Sequence, residues 1–150
     1  MPHSFTKIHV HLIWSTKERS RFLTGDVGRI VRQHILDYCA GKGIMIKGIN
    51  IQPEHIHVLI ALSGDQKIDE VVKLIKGESS HWINSQNVVR PKFSWQRGFA
   101  AFSVSPSHVD RVKKYIRNQD VHHRRKPFGE ELKNILVRGG FAISETDESV

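Results

Sequence analysis

Two short segments carry side chains that could do chemistry together: His55-Ile56-His57 in PEHIHVLI, and Tyr115 with Gln119 in VDRVKKYIRNQ. On a strand, residues two apart point to the same side, so His55 and His57 present two imidazoles together. Neutral imidazoles are good ligands for a divalent metal, but two do not complete a site. On a helix, residues four apart share a face, which sets Tyr115 beside Gln119. Gln119 offers a carbonyl oxygen suited to a hard cation, and Tyr115 offers a phenol. A metal on a phosphate oxygen would draw charge from phosphorus as a Lewis acid. The phenolate could then attack and form a covalent phosphotyrosine.

Each half alone reads equally well as ordinary structure. His9-Val10-His11 repeats the triplet in the first strand, so the pattern by itself decides nothing. A tyrosine at helical spacing is usually a packing residue, and a glutamine near a helix end is usually solvated. His122-His123-Arg124-Arg125-Lys126 resembles a second metal tract. Consecutive helical residues diverge, however, and a basic phosphate-contacting patch is the better reading. His81 and His108 read as surface or helix-end residues.

The elements that must position these groups follow from periodicity. Phe5 to Trp14 alternates as a strand, with Ile8, Val10, Leu12 and Trp14 on one face. Asp26 can cap a helix to about Ala40, ended by Gly41 and Gly43. Ile44 to Ile51 reads as a strand. Ile56 to Leu62 is apolar on both faces, as expected of a covered central strand. Ile68 to about Asn84 is helical, and 85–98 is irregular around Pro91. Phe99 to Ser105 is a fourth strand. Ser107 can cap a helix from His108 to about Val121, and a last helix spans Phe128 to Val137. The order β-α-β-β-α-β predicts an α+β, ferredoxin-like antiparallel sheet with an additional C-terminal tyrosine-bearing helix. One domain is expected over 1–141, followed by a disordered acidic tail over 142–150.

Composition narrows the class. The chain has 150 residues and a net charge of +8, with three acids in the last six positions, so its body favours polyanions. No apolar run reaches the ~18 residues of a spanning helix. The start MPHSFTKIHVHLIW lacks the pattern of a secretion signal, and the single cysteine, Cys39, reads as a buried thiol. A cytoplasmic protein, associated with the nucleoid when on DNA, is expected.

PEHIHVLI, LIKGESSHWIN, SWQRGFAAFSVS and VDRVKKYIRNQDVHH occur in this order. Together they resemble the single-tyrosine HUH transposases of small bacterial insertion sequences, HUH meaning His-hydrophobic-His. The resemblance spans roughly residues 5 to 138. In that family the HUH strand follows a Pro-acidic pair. Only His55-Ile56-His57, after Pro53-Glu54, has this context; His9 and His11 align with the first strand and take no ligand role.

The resemblance implies a ferredoxin-like fold, with His55, His57 and Gln119 as metal ligands and Tyr115 as the nucleophile. It implies a metal-dependent strand transferase that uses Mg²⁺ or Mn²⁺ to cleave and rejoin single-stranded DNA at hairpin-forming element ends, through a 5′-phosphotyrosine. It also implies a homodimer whose sites can be completed in trans, with Ser105-Pro106-Ser107 as a crossover hinge. A basic groove with stacking platforms would suit the DNA. Its candidates are Lys17, Arg19, Arg21, Lys73, Lys76, Arg90, Lys92, Trp95, Arg97, Arg124 and Arg125. The rival readings are a domesticated relative acting on chromosomal repetitive palindromes, a binding module that does not cut, and a metal-dependent hydrolase using water.

Overall fold

In a computed structural model, the structure describes residues 3–142 and 150, without the side chain of residue 125. Four strands form one antiparallel sheet: β1 (Ile8–Ser15), β2 (Met45–Ile51), β3 (His55–Leu62) and β4 (Ala100–Val104), in the order β2-β3-β1-β4. Helices α1 (Gly25–Gly41) and α2 (Ile68–Ser85) complete the β-α-β-β-α-β pattern. The ferredoxin-like α+β expectation is met. The C-terminal region supplies α3 (Val109–Arg117), α4 (Gln119–Arg125) and α5 (Phe128–Arg138). The tail expected over 142–150 lies almost wholly outside the described residues.

Strand alternation divides the interior into two layers. Val10, Leu12 and Trp14 of β1 and Ile56, Val58 and Ile60 of β3 face α1 and α2, meeting Val31, Ile35, Val72 and Ile75. The other face carries His11, Ile13, His55, His57 and Leu59, which are buried as well. Leu59 packs with Val104 and Ile116 under α3, and Ile13 with Ala100, Phe128 and Leu132 under α5. Covered on both sides, β3 reads as a continuous apolar run interrupted only by its two histidines.

The helix expected from His108 to Val121 is broken. Asn118 takes φ −94°, ψ 21°, separating α3 from α4. Dihedrals in this bridge region end a helical run without a proline, and periodicity alone does not register them. Tyr115 therefore sits near the end of one helix and Gln119 opens the next.

Candidate active site

β3 places both histidines of the triplet on the buried face under α3 to α5. Their Cα partners on β1 are Ser15 for His55 and Ile13 for His57. Each imidazole is oriented through Nδ1. Glu54 Oε1 lies 2.6 Å from His55 Nδ1. His11 Nε2 lies 2.9 Å from His57 Nδ1. With Nδ1 so engaged, the Nε2 atoms of both rings face the interior of the site, and neither has an aligned hydrogen-bond partner among the described residues. Phe128 stacks on His55 at 3.9 Å between centroids, fixing its plane.

α5 brings Glu131 to the same point, and α4 brings His123. Glu131 Oε1 lies 3.0 Å from His57 Nε2 and Oε2 lies 3.0 Å from His123 Nε2, yet neither oxygen has an aligned hydrogen bond. His123 Nε2 is 3.0 Å from Gln119 Oε1. One ligand atom from each of His55, His57, His123 and Glu131 falls within 4.8 Å of the others. Orphaned buried atoms are costly, and here those of His55, His57 and Glu131 converge. Two imidazoles with outer partners on Nδ1, plus a carboxylate, suit a divalent cation. Gln119 is fully buried beside this cluster, its Nε2 3.4 Å from the Tyr115 carbonyl.

Tyr115 lies beside its own chain's pair, its ring 5.9 Å from that of His57 and 4.6 Å from that of His122. A cleft of about 380 Å³ opens onto it, lined also by Glu131, Lys126 and Arg138. Burial, reinforced by the Glu131 charge, pushes the phenol above its ordinary 10, so the resting tyrosine is protonated. Burial lowers His57 to about 4 and His11 to about 3, and lowers His55 too. Burial alone would raise Glu131; the imidazoles of His123 and His57 overcome this and hold its carboxyl well below the usual range. The site thus presents neutral imidazoles and a carboxylate, all in ligating form.

The structure corrects several sequence expectations. The tract 122–126 is not only a basic patch, because His123 turns inward and joins the cluster. His11 is no bystander, because it orients His57. Glu131 and Arg138 were missed altogether, whereas Lys126 belongs to the tract read as a phosphate-contacting patch and does line the cleft. For Glu131 the one available signal was an acid in a helix packed after the tyrosine helix. Trp95 cannot stack on bases: it is buried, edge-on to Trp14 and Phe93, with Nε1 donating to Ser79 Oγ at 2.9 Å. Lys76 directs its ammonium to the carbonyls of Gln96 and Gly98, both at 2.7 Å, which withdraws it from the surface.

Lys73 lines a groove between α1 and α2, on the sheet face away from the site. Arg21 pairs with Glu54 at 3.0 Å and so braces the carboxylate that orients His55. Arg19 lies over the Phe128 ring at 5.2 Å, at the rim of the site. Lys17, Arg90, Lys92, Arg97 and Arg124 are exposed, and the Arg125 side chain lies outside the described residues.

The antiparallel α+β sheet and the sequence it is built from place this chain among the transposases. The family model "Transposase IS200 like" matches residues 4–119, and the chain belongs to that family. It is 26% identical over 121 residues to the ISDra2 transposase TnpA of Deinococcus radiodurans, covering 75% of this chain and 84% of that protein. Two solved structures share the fold. A transposase from Deinococcus radiodurans R1 superposes with a TM-score of 0.63 at 23% identity, over 79% of this chain and 95% of the other. A REP-associated tyrosine transposase bound to a REP hairpin gives 0.61 at 20% identity, over 99% of this chain and 94% of the other.

Proposed function

We propose that this protein cleaves and rejoins single-stranded DNA at insertion-sequence ends through a covalent 5′-phosphotyrosine on Tyr115. The observation that carries the reading is Tyr115 beside a buried set of unsatisfied ligand atoms, in the lining of a cleft that also holds Lys126 and Arg138. His55 and His57, with Glu131 and Gln119 facing the same point, would hold Mg²⁺ or Mn²⁺. Such an ion supplies Lewis-acid withdrawal of charge from the scissile phosphate and offsets the Glu131 charge beside the phenol.

The chain's own residues do the rest. Lys126 and Arg138 line the cleft and attract the phosphate. The Tyr115 oxygen attacks phosphorus, the bond to the 3′-oxygen breaks, and the phenol proton ends on the departing 3′-hydroxyl. A second 3′-hydroxyl reverses the step to seal a new junction, so the bond energy is kept in the phosphotyrosine. His11 and Glu54 hold the two metal-facing imidazoles in one tautomer throughout.

The test is labelled single-stranded DNA on a denaturing gel. Wild type forms a covalent adduct, Tyr115→Phe forms none, and an adduct with the phenylalanine variant would overturn the assignment. A water-using hydrolase would release product with no adduct in either protein. Because Tyr115 faces its own His57, we read the site as completed in cis. Mixing Tyr115→Phe chains with His57→Ala chains tests this; restored adduct formation would place the site in trans, across a homodimer. A hairpin is the expected DNA shape, since a relative alike over 99% of this chain is bound to one. That likeness also favours a second reading, a domesticated enzyme acting on chromosomal palindromes. Cleavage of such palindromes, in a genome without matching element ends, would select it.

A further inference from the structure

α3 has two working flanks. On a helix turning about 100° per residue, Lys113 and Arg117 lie within roughly 40° of each other, whereas Tyr115 is about 160° from both. The flank opposite the tyrosine borders a second cavity, of about 320 Å³. Arg32 of α1, Lys47 and Asn50 of β2, and Lys113 and Arg117 of α3 line it, and none of the described residues lining it is acidic. None of these four cations has an ion-pair partner among the described residues. Like charges held around one cavity repel, and an anion relieves that repulsion.

A second observation concerns β2, the edge strand. Its register with β3 slips between Ile46 and Gly48, leaving Lys47 as the extra residue. Such bulges re-aim side chains beside binding sites, and the bulged residue here is one of the four cations. The cavity is also close to the chemistry. Asn50 is the Cα partner of His57, so one wall of the pocket lies one strand from the histidine cluster, while Arg32 reaches the same cavity from α1 across the β2 edge. No aromatic ring lines it, which suits phosphate better than a stacked base.

We propose that this cavity is a second anchoring site for the phosphodiester backbone of the DNA strand, binding phosphates beyond the one presented to Tyr115. The proposal rests on the DNA-cutting reading above. α3 then acts as a wedge: the strand is cut on one flank and its backbone is gripped on the other. Arginine forks and lysine ammoniums contact the unesterified phosphate oxygens, so the grip positions the strand without reading its sequence.

The experiment measures single-stranded oligonucleotide binding by fluorescence anisotropy from 0.1 to 1 M salt. It compares wild type with Arg32→Gln/Lys47→Gln and with Lys113→Gln/Arg117→Gln. The charge-matched control is Lys7→Gln/Lys67→Gln. Each lost single-strand phosphate contact lowers the slope of log affinity against log salt by about 0.7, so each pocket pair should lower it by about 1.4. That is a roughly 25-fold loss at 0.1 M salt, converging on wild type at 1 M. The control pair keeps the wild-type slope, and different oligonucleotide sequences suffer alike. The Arg32/Lys47 pair lies on α1 and β2 rather than on α3, so it separates phosphate contact from a change within the tyrosine helix itself. Pocket variants with the wild-type slope would overturn the proposal, as would a control pair that lost as much. A wild-type protein that neither bound DNA nor formed the Tyr115 adduct would overturn the cutting reading itself.

Discussion

Acid should destabilise the metal-free protein before its ordinary carboxylates titrate, and His57 sets the scale. It is fully buried, and burial lowers it from 6.5 to about 4. A depressed histidine binds its proton more readily in the unfolded chain, so stability is full above 6.5 and drains away as the pH falls towards 4. At 1.36 kcal/mol per pH unit, the whole difference is worth about 3 kcal/mol, of which about 2 kcal/mol is gone by pH 4.5. His11 and His55 are lowered by burial too and act in the same direction, so about 2 kcal/mol is a minimum. Glu131 does not confuse this window. Its carboxyl is depressed, so its contribution is lost only below the ordinary 4.5.

The assay is urea unfolding in EDTA at intervals from pH 7 to 4.5, followed by the fluorescence of buried Trp14 and Trp95, with stability extrapolated at constant slope. About 2 kcal/mol is a sizeable share of the 5–15 kcal/mol typical of a domain. His57→Gln removes the titrating group, so its stability should fall less steeply over the same interval. A wild-type loss under about 1 kcal/mol would refute the buried neutral histidine, as would a His57→Gln profile parallel to wild type.

Three other outcomes follow from the same geometry. Mn²⁺ at one hundred times its dissociation constant should stabilise wild type by about 2.7 kcal/mol in thermal melts, and this gain should vanish in His57→Ala and Glu131→Gln. His11→Phe removes the partner of His57 Nδ1 without touching the ligand atoms, so calorimetry should find metal affinity about 10- to 100-fold weaker. Trp95→Ala should cost about 3–5 kcal/mol in stability but leave the DNA affinity of the folded fraction unchanged; a selective loss of affinity would restore its base-stacking role.

The fold was largely legible because its strands and first two helices obey local periodicity. β1 sets Val10, Leu12 and Trp14 on one face at a period of two, and β3 is apolar on both faces because helices cover both. The break at Asn118 was not legible, since the sequence there has neither proline nor glycine and continues a charged helical pattern. Trp95 misled for a related reason. Its neighbours Arg90, Lys92 and Arg97 are exposed, and a charged surrounding in sequence says nothing about the Ser79 hydroxyl and Trp14 ring that enclose it in space.

The histidine pair and tyrosine were legible because each spacing is fixed by one secondary-structure element. Their supporting residues were not, because every one comes from a different element. His11 belongs to a triplet that seemed only to weaken the case for His55-Ile56-His57, yet strand pairing sets β1 against β3 and brings its ring to His57 Nδ1. The two triplets thus meet at one site: one carries the candidate ligand atoms, and His11 of the other orients His57. Glu131 and His123 reach the same point only because the chain turns after Asn118 and again at Pro127. The break that defeated the helix prediction is therefore what closes the site. Past that break, α4 and α5 bring His123 and Glu131 to His55 and His57.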